Sequence, residues 1–172
     1  MRGLAVSVAL VVAAVVLAIV GGSGGEPAAG IDTTPRFVDA SALGDLEGSL
    51  EHQIYWAGER PGFRLELKEE AEGSVYLRYL PPGVEAGDPE QRYLTVGTYP
   101  VLEAVAALRR ASARSGVPLK HLDDGGVVLP NAASAGSVYI AYPGSDLQIE
   151  VYDPTPGESL RLIRAGAIGP VG

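Results

Sequence analysis

Two nearly identical stretches, SVYLRY at Ser74–Tyr79 and SVYIAY at Ser137–Tyr142, decide the fold of this chain. In both, aliphatic residues occupy every second position, which is the period of a β-strand that turns one face to a core. The predicted core positions are Val75, Leu77, Val138 and Ile140. Tyr76 and Tyr139 then lie on the opposite face of their strands.

The segments around each stretch follow one order: two strands of a hairpin, a third strand and a helix. In the first half these are FRLELK, SVYLRYL, RYLTVGTY and a helix predicted from Pro100 to Ser115. In the second half they are GVVLP, SVYIAY, LQIEVY and a helix predicted from Thr155. The order predicts an α+β fold with a mostly antiparallel sheet and two helices packed on one face. It also fits a duplicated βββα unit, although antiparallel domains reuse such elements without common ancestry.

The segment at residues 1–22 carries no charge after Arg2, and Leu4 to Val20 is almost continuously apolar. As a helix this run spans roughly 25 Å, close to the thickness of a bilayer core. The sequence GGSGGEPAAG that follows is typical of a flexible tether. We therefore predict a transmembrane signal anchor at 1–22, a linker at 23–36 and an extracytoplasmic α+β domain at 37–172. The positive charge before the segment predicts a cytoplasmic N-terminus, and a cleaved signal peptide with a secreted domain is the alternative.

Composition excludes several classes of site and partner. The chain has no cysteine, which excludes disulfides, thiolate metal sites and cysteine nucleophiles. Its 21 acidic and 13 basic residues give a net charge of −8, which repels nucleic acid and anionic lipid headgroups. The motifs S-x-x-K and H-E-x-x-H do not occur, and no motif predicts a cofactor or a metal.

Ionisable side chains form three candidate groups, each with a plainer structural explanation. His121 and Asp123 offer nitrogen and oxygen ligands for a metal, but Asp-Asp-Gly-Gly before a strand is ordinary turn chemistry. The glutamates of EEAEG could bind a cation, but a solvated hairpin tip explains them equally simply. Candidates for a glycosidase-like pair of carboxylates are Glu66, Glu150 and Asp153, and sequence does not give the separation that such a mechanism requires.

Tyrosines are the more informative side chains. If both helices cover one face of the sheet, the other face carries tyrosine rings beside charged and amide side chains. The predicted binding residues are Tyr76, Arg78, Tyr139 and Tyr152. Such a surface suits a sugar, a peptide or a protein through stacking and hydrogen bonds. Cross-strand packing of tyrosines on a solvated sheet face is the alternative explanation.

The segments YWAGERPGF, VYLRYLPPG, LTVGTYP and QIEVYDPTP, after one N-terminal apolar segment, carry a family resemblance. Together they resemble a group of uncharacterised, membrane-anchored or exported proteins of high-GC bacteria over residues 50 to 165. The resemblance implies export and a single domain, and it implies no activity.

The predicted function is a membrane-anchored, extracytoplasmic binding or interaction module of the cell envelope. Its predicted partners are the membrane, through the N-terminal helix, and an envelope protein, peptide or saccharide, but not nucleic acid. An alternative is an envelope hydrolase, with or without a metal, that uses His121, Asp123 or a strand carboxylate. A structural domain that oligomerises through exposed sheet edges is a further alternative.

Overall fold

The structure, a computed structural model, describes residues 32–172, which form ten strands and three helices. The strands are β1 (Arg36–Val38), β2 (Tyr55–Trp56), β3 (Arg64–Glu69), β4 (Val75–Leu80), β5 (Thr95–Pro100), β6 (Lys120–His121), β7 (Val127–Pro130), β8 (Ser137–Ala141), β9 (Leu147–Tyr152) and β10 (Gly169–Pro170). The helices are α1 (Ala40–Leu50), α2 (Ala104–Ser115) and α3 (Glu158–Arg164).

Eight strands form one sheet in the order β1-β3-β4-β5-β9-β8-β7-β6, and every pairing is antiparallel. The two predicted hairpins with their third strands therefore meet at the centre, where β5 pairs with β9. Opposite residues there are Tyr99 with Gln148, and Thr95 with Tyr152. The α+β class and the mostly antiparallel sheet are confirmed, and the strand order fits the predicted repeat.

The two predicted helices, which follow β5 and β9, do not pack on the same face of the sheet, so this part of the prediction is wrong. Apolar residues of α3 join the core cluster that contains Val138 and Ile140 of β8. Residues of α2 instead join the cluster that contains Tyr139 and Ala141 of the same strand. Because successive side chains of a strand point to opposite faces, α2 and α3 lie on opposite sides of the sheet.

Burial of β8 explains the arrangement. All five of its residues are buried, so this strand needs cover on both faces. Ala104 and Leu108, on the apolar stripe of α2, pack against the Tyr139 face of the strand. Helix α1 packs through Leu43 on the other face, against Leu67 and other residues of β3 and β4. We call the two sides the α2 face and the α1/α3 face.

The strands of the two halves correspond, but the helices that follow them do not. A duplicated βββα unit would place both helices on the same face of a sheet that has this strand order. Since α2 and α3 lie on opposite faces, the match is limited to the strands, and common ancestry stays a prediction.

Helix starts also differ from the predictions. Pro100 is the last residue of β5, so α2 begins only at Ala104. Helix α3 begins at Glu158 and not at the predicted Thr155. Gly157, the residue before it, has a left-handed backbone conformation with φ 80°. Glycine suits this backbone conformation because it has no Cβ.

The predicted membrane anchor at 1–22, and the linker before residue 32, lie outside the described residues. Between residues 32 and 172, no helix combines the length and the apolar character that a membrane span requires.

Candidate functional site

The α2 face is covered by a helix on only one of its halves. Helix α2 packs over β7, β8 and β9, whereas no helix packs on this face over β3, β4 and β5 in the described part of the chain. A cleft of about 700 Å³ opens there, bounded by loop 81–91 and by the segment 131–137. We call this space the sheet cleft.

Loop 81–91 forms one wall of the sheet cleft and is held by side chains of the sheet. Arg78 donates from Nη2 to the carbonyl oxygens of Asp88, at 2.8 Å, and Glu90, at 3.1 Å. The hydroxyl of Tyr152 donates to the carbonyl oxygen of Gln91 at 2.6 Å. Two of the predicted binding residues, Arg78 and Tyr152, therefore position the wall of the cleft.

A buried ion pair supports the same loop. Glu66 is only 1% exposed, and its Oε1 lies 2.9 Å from Nη1 of Arg78. Its other oxygen accepts the backbone N–H of Gly87 at 2.5 Å. The guanidinium of Arg78 also lies over the ring of Tyr93, 5.2 Å from its centroid. With both oxygens engaged, Glu66 is a structural anchor rather than a free base.

The floor of the sheet cleft contains a second buried carboxylate, Glu150. Its Oε2 accepts a hydrogen bond from the Tyr99 hydroxyl at 2.7 Å, and its Oε1 accepts one from Ser137 Oγ at 2.6 Å. Burial, followed by the negative charge of Glu150 and the neighbouring Tyr76, raises the pKa of Tyr99 well above its usual value. Tyr99 therefore stays a neutral donor at any physiological pH.

Gly97 makes the position of Tyr99 possible. A Cβ on this glycine would lie 2.6 Å from the Tyr99 hydroxyl oxygen and within 3.0 Å of its ring. The ring therefore lies across the strand and directs its hydroxyl to Glu150. Gly97 pairs regularly with Tyr76 and Glu150 on the neighbouring strands, so it marks a close approach and not a bulge.

Tyr76 is the predicted binding residue of the cleft whose side chain does not hold the loop that forms its wall. Its half-buried ring packs edge-on against Tyr99, with centroids 5.5 Å apart and an interplanar angle of 81°. Burial and the charges of nearby glutamates raise its pKa. Beside it, Lys68 Nζ and Glu70 Oε1 form an ion pair of 2.6 Å at the rim.

Tyr139 does not share the sheet cleft with the other three predicted residues. It lies on the same face of the sheet but is 4% exposed, beneath α2. Asn131 Nδ2 donates to its hydroxyl at 3.1 Å. The residues of the cleft that sequence reasoning left out of the binding face include Gly97 and Ser137, and Lys68 was not among the predicted binding residues. Strand alternation from Glu66 would have found Lys68, whereas the role of Ser137 depends on contact across strands.

The other candidate groups stay apart. His121 is exposed on the edge strand β6, and Asp124 caps its own turn by accepting the Gly126 N–H at 3.0 Å. Asp153 likewise accepts the Thr155 N–H at 2.8 Å. In residues 32–172, no three histidine, aspartate or glutamate side chains are grouped so that they could hold a metal ion.

Glu66 and Glu150 also do not form a glycosidase pair. Their strands, β3 and β9, are separated by β4 and β5, which places the backbones roughly 14 Å apart at ordinary strand spacing. Each carboxylate binds groups on strands next to its own. Catalytic pairs need carboxyl groups about 5 to 9.5 Å apart.

A second groove, of about 620 Å³, lies beside β1 and contains Trp56 and the exposed ring of Phe63. Its aromatic faces are already partly covered by cations. Arg64 lies 3.3 Å from the ring centroid of Phe37, and Arg60 lies 5.9 Å from that of Tyr79. The sheet cleft is therefore the better candidate for ligand binding.

Comparisons of this chain with models of protein families, with curated proteins and with solved structures find no match. The family resemblance drawn from the motifs stays a prediction.

Proposed function

We propose that this chain is a membrane-anchored, extracytoplasmic binding module of the cell envelope, which holds its ligand in the sheet cleft. One observation carries the proposal: half of one sheet face is left open, and its aromatic and polar side chains form a cleft of about 700 Å³. A volume of this size suits a short saccharide or a peptide segment.

Fixed walls support binding as the role of the cleft. Arg78 and Tyr152 hold loop 81–91, and Glu150 holds Tyr99 and Ser137 at the floor. Because these side chains are fixed before any ligand arrives, binding loses little side-chain entropy. The buried carboxylates are engaged with neighbouring groups, so the geometry favours recognition over acid–base chemistry.

The position of the tether supports an envelope location for the cleft. Pro35, at the end of the predicted linker, lies on the rim of the sheet cleft. As a flexible chain, the predicted linker at 23–36 would have an end-to-end distance of about 20 Å. The proposed anchor would therefore hold the cleft close to the outer surface of the membrane, within reach of envelope saccharides and peptides.

The test uses the full chain in nanodiscs of phosphatidylcholine. A panel of short saccharides and peptides is titrated against the wild type, Tyr76→Ala and Leu102→Ala. Leu102 is 77% exposed and lies outside the cleft, so its variant is the matched surface control. We expect a ligand whose affinity falls about tenfold in Tyr76→Ala and is unchanged in Leu102→Ala. Equal affinity in all three proteins would show that the cleft is not the binding site.

Two further measurements test the location and the oligomeric alternative. Protease added outside intact cells should digest the folded domain of the anchored chain but not a cytoplasmic marker. Light scattering across a concentration series should give a constant mass, because the edge strands β1 and β6 have only three and two residues to offer a partner strand. A mass that rises with concentration would favour the oligomerising domain.

A further inference from the structure

The sheet cleft is acidic. Its lining includes five carboxylates and two cations. Both cations are paired inside the cleft: Arg78 with Glu66 at 2.9 Å, and Lys68 with Glu70 at 2.6 Å. Glu90 pairs at 3.2 Å with Arg92, which lies outside the lining, so the negative charge that is left over belongs to Asp88 and Glu150.

Glu150 is a buried carboxylate that contributes to this excess negative charge. It is 4% exposed, and its two oxygens accept hydrogen bonds from the hydroxyls of Tyr99 and Ser137. Among the ion pairs of the described residues, none involves Glu150. Neutral donors satisfy its lone pairs but do not balance its charge, and a buried carboxylate without a cation is unfavourable. A cationic group in the cleft would remove part of that cost.

The aromatic rings of the cleft favour the same kind of ligand. Tyr76 packs edge to face against the buried Tyr99, with ring centroids 5.5 Å apart, so the half-buried ring of Tyr76 is the part of the pair that a ligand in the cleft can contact. The negative charges of Glu70, Glu72 and Glu150 all act on the Tyr76 hydroxyl and raise its pKa, after the larger effect of burial. A ring in such a field attracts cations and repels anions.

We infer that the sheet cleft selects ligands that carry a primary ammonium group, which it holds against Tyr76 and close to Glu150. The inference rests on the proposed function and names the ligand chemistry of that same cleft. An amino sugar and a lysine side chain both supply this group. Carboxylate and phosphate ligands are disfavoured by the same charges.

The experiment compares two pairs of probes in which acetylation removes the charge. One pair is the trimer of glucosamine and the trimer of N-acetylglucosamine. The other is acetyl-Lys-Lys-Lys-amide and the same peptide with every lysine Nε-acetylated. Each probe is titrated by calorimetry against the full chain in phosphatidylcholine nanodiscs, as wild type and as the variants Glu150→Gln, Tyr76→Leu and Glu51→Gln. Glu51 is exposed at the end of α1 and serves as the control carboxylate.

We expect the amine member of at least one pair to bind about tenfold more tightly than its acetylated partner. This preference should be lost in Glu150→Gln and Tyr76→Leu, and kept in Glu51→Gln. The pair that shows it identifies the source of the ammonium group, saccharide or peptide. If Glu150→Gln does not fold, Glu70→Gln at the rim takes its place, because this change removes a charge that is about one-third exposed.

Three results would overturn the inference. An acetylated probe that binds as tightly as its amine partner, and is lost in Tyr76→Leu, would remove the charge preference while leaving the binding module intact. A preference that survives in Glu150→Gln, Glu70→Gln and Tyr76→Leu would show only a general attraction to the net charge of the chain. Absence of binding by all four probes would contradict an ammonium site.

Discussion

The two halves of the central sheet contain the same Ser-Val-Tyr stretch but use its tyrosine in opposite ways. In the β7-β8-β9 half, Tyr139 is 4% exposed because α2 packs over it. In the β3-β4-β5 half, Tyr76 occupies the equivalent position, and loop 81–91 instead of a helix lies beside it. The rings therefore differ in what covers them and not in their place on the strand.

This difference shows which part of a strand pattern carries functional information. Alternation assigns Tyr76 and Tyr139 to the same face of the sheet, and the register confirms that assignment. Whether such a residue joins a core or a cleft depends on an element elsewhere in the chain. In this fold the deciding element is α2, which covers one half of the face and leaves the other open.

Replacing the two tyrosines by alanine is the largest test of this contrast. Tyr139→Ala should lower the free energy of unfolding by about 4 kcal/mol, because it leaves a cavity between α2 and the sheet. Tyr76→Ala should lower it by about 1.5 kcal/mol, because its ring is half-buried and water can fill the space. Denaturation in urea measures both values. Equal losses would mean that the two halves are covered to the same extent.

Sequence periodicity predicted the six long strands β3, β4, β5, β7, β8 and β9, the α+β class and the antiparallel pairing, because each of these follows from local alternation and from hairpin order. It did not predict the side on which each helix packs. That side depends on the path of the chain from Pro100, the last residue of β5, to Ala104, where α2 begins. No pattern in the sequence of this short connection indicates the direction that it takes. The same limitation applies to the site: alternation places Tyr76, Arg78 and Tyr139 on one face of the sheet, but the burial of Tyr139 depends on α2.

Loop 81–91, which borders the β3-β4-β5 half of the sheet where no helix packs, provides the second test. Arg78→Ala should lower the free energy of unfolding by about 3 kcal/mol, because it leaves Glu66 buried without its cation. It should also increase hydrogen exchange at the backbone amides of loop 81–91, which loses two hydrogen bonds. Arg92→Ala is the control, since its ion pair with Glu90 is exposed and should contribute little. Unchanged exchange in the loop would show that Arg78 does not hold the wall.

Gly97 gives a test that is confined to the floor of the open half. Gly97→Ala should lower the free energy of unfolding by about 2 kcal/mol, because the new Cβ would displace the Tyr99 ring from its position over the strand. Gly48→Ala, in α1 with no atom within 4 Å of the added Cβ, should instead stabilise the chain by about 0.5 kcal/mol. Losses of equal size at both positions would contradict the close approach of Tyr99 to Gly97.

The smallest effect concerns Tyr79, which lies on the opposite, well-covered face of the open half. Its hydroxyl accepts the Ala57 N–H at 2.8 Å and donates to the Gly58 carbonyl at 3.1 Å. Tyr79→Phe should therefore lower the free energy of unfolding by about 1 kcal/mol at pH 8.

Burial raises the pKa of Tyr79 to about 12, from an ordinary value of 10.0 that the unfolded chain should keep. Above pH 10 the unfolded chain loses this proton while the folded chain retains it, so the stability that the neutral hydroxyl provides decreases until the pH reaches about 12. The phenylalanine variant lacks this loss. Its deficit relative to the wild type should therefore be smaller at pH 11 than at pH 8 in urea denaturation. A deficit that is the same at both pH values would mean that the Tyr79 hydroxyl is not desolvated, and that the face beneath the sheet cleft is less well covered than its contacts indicate.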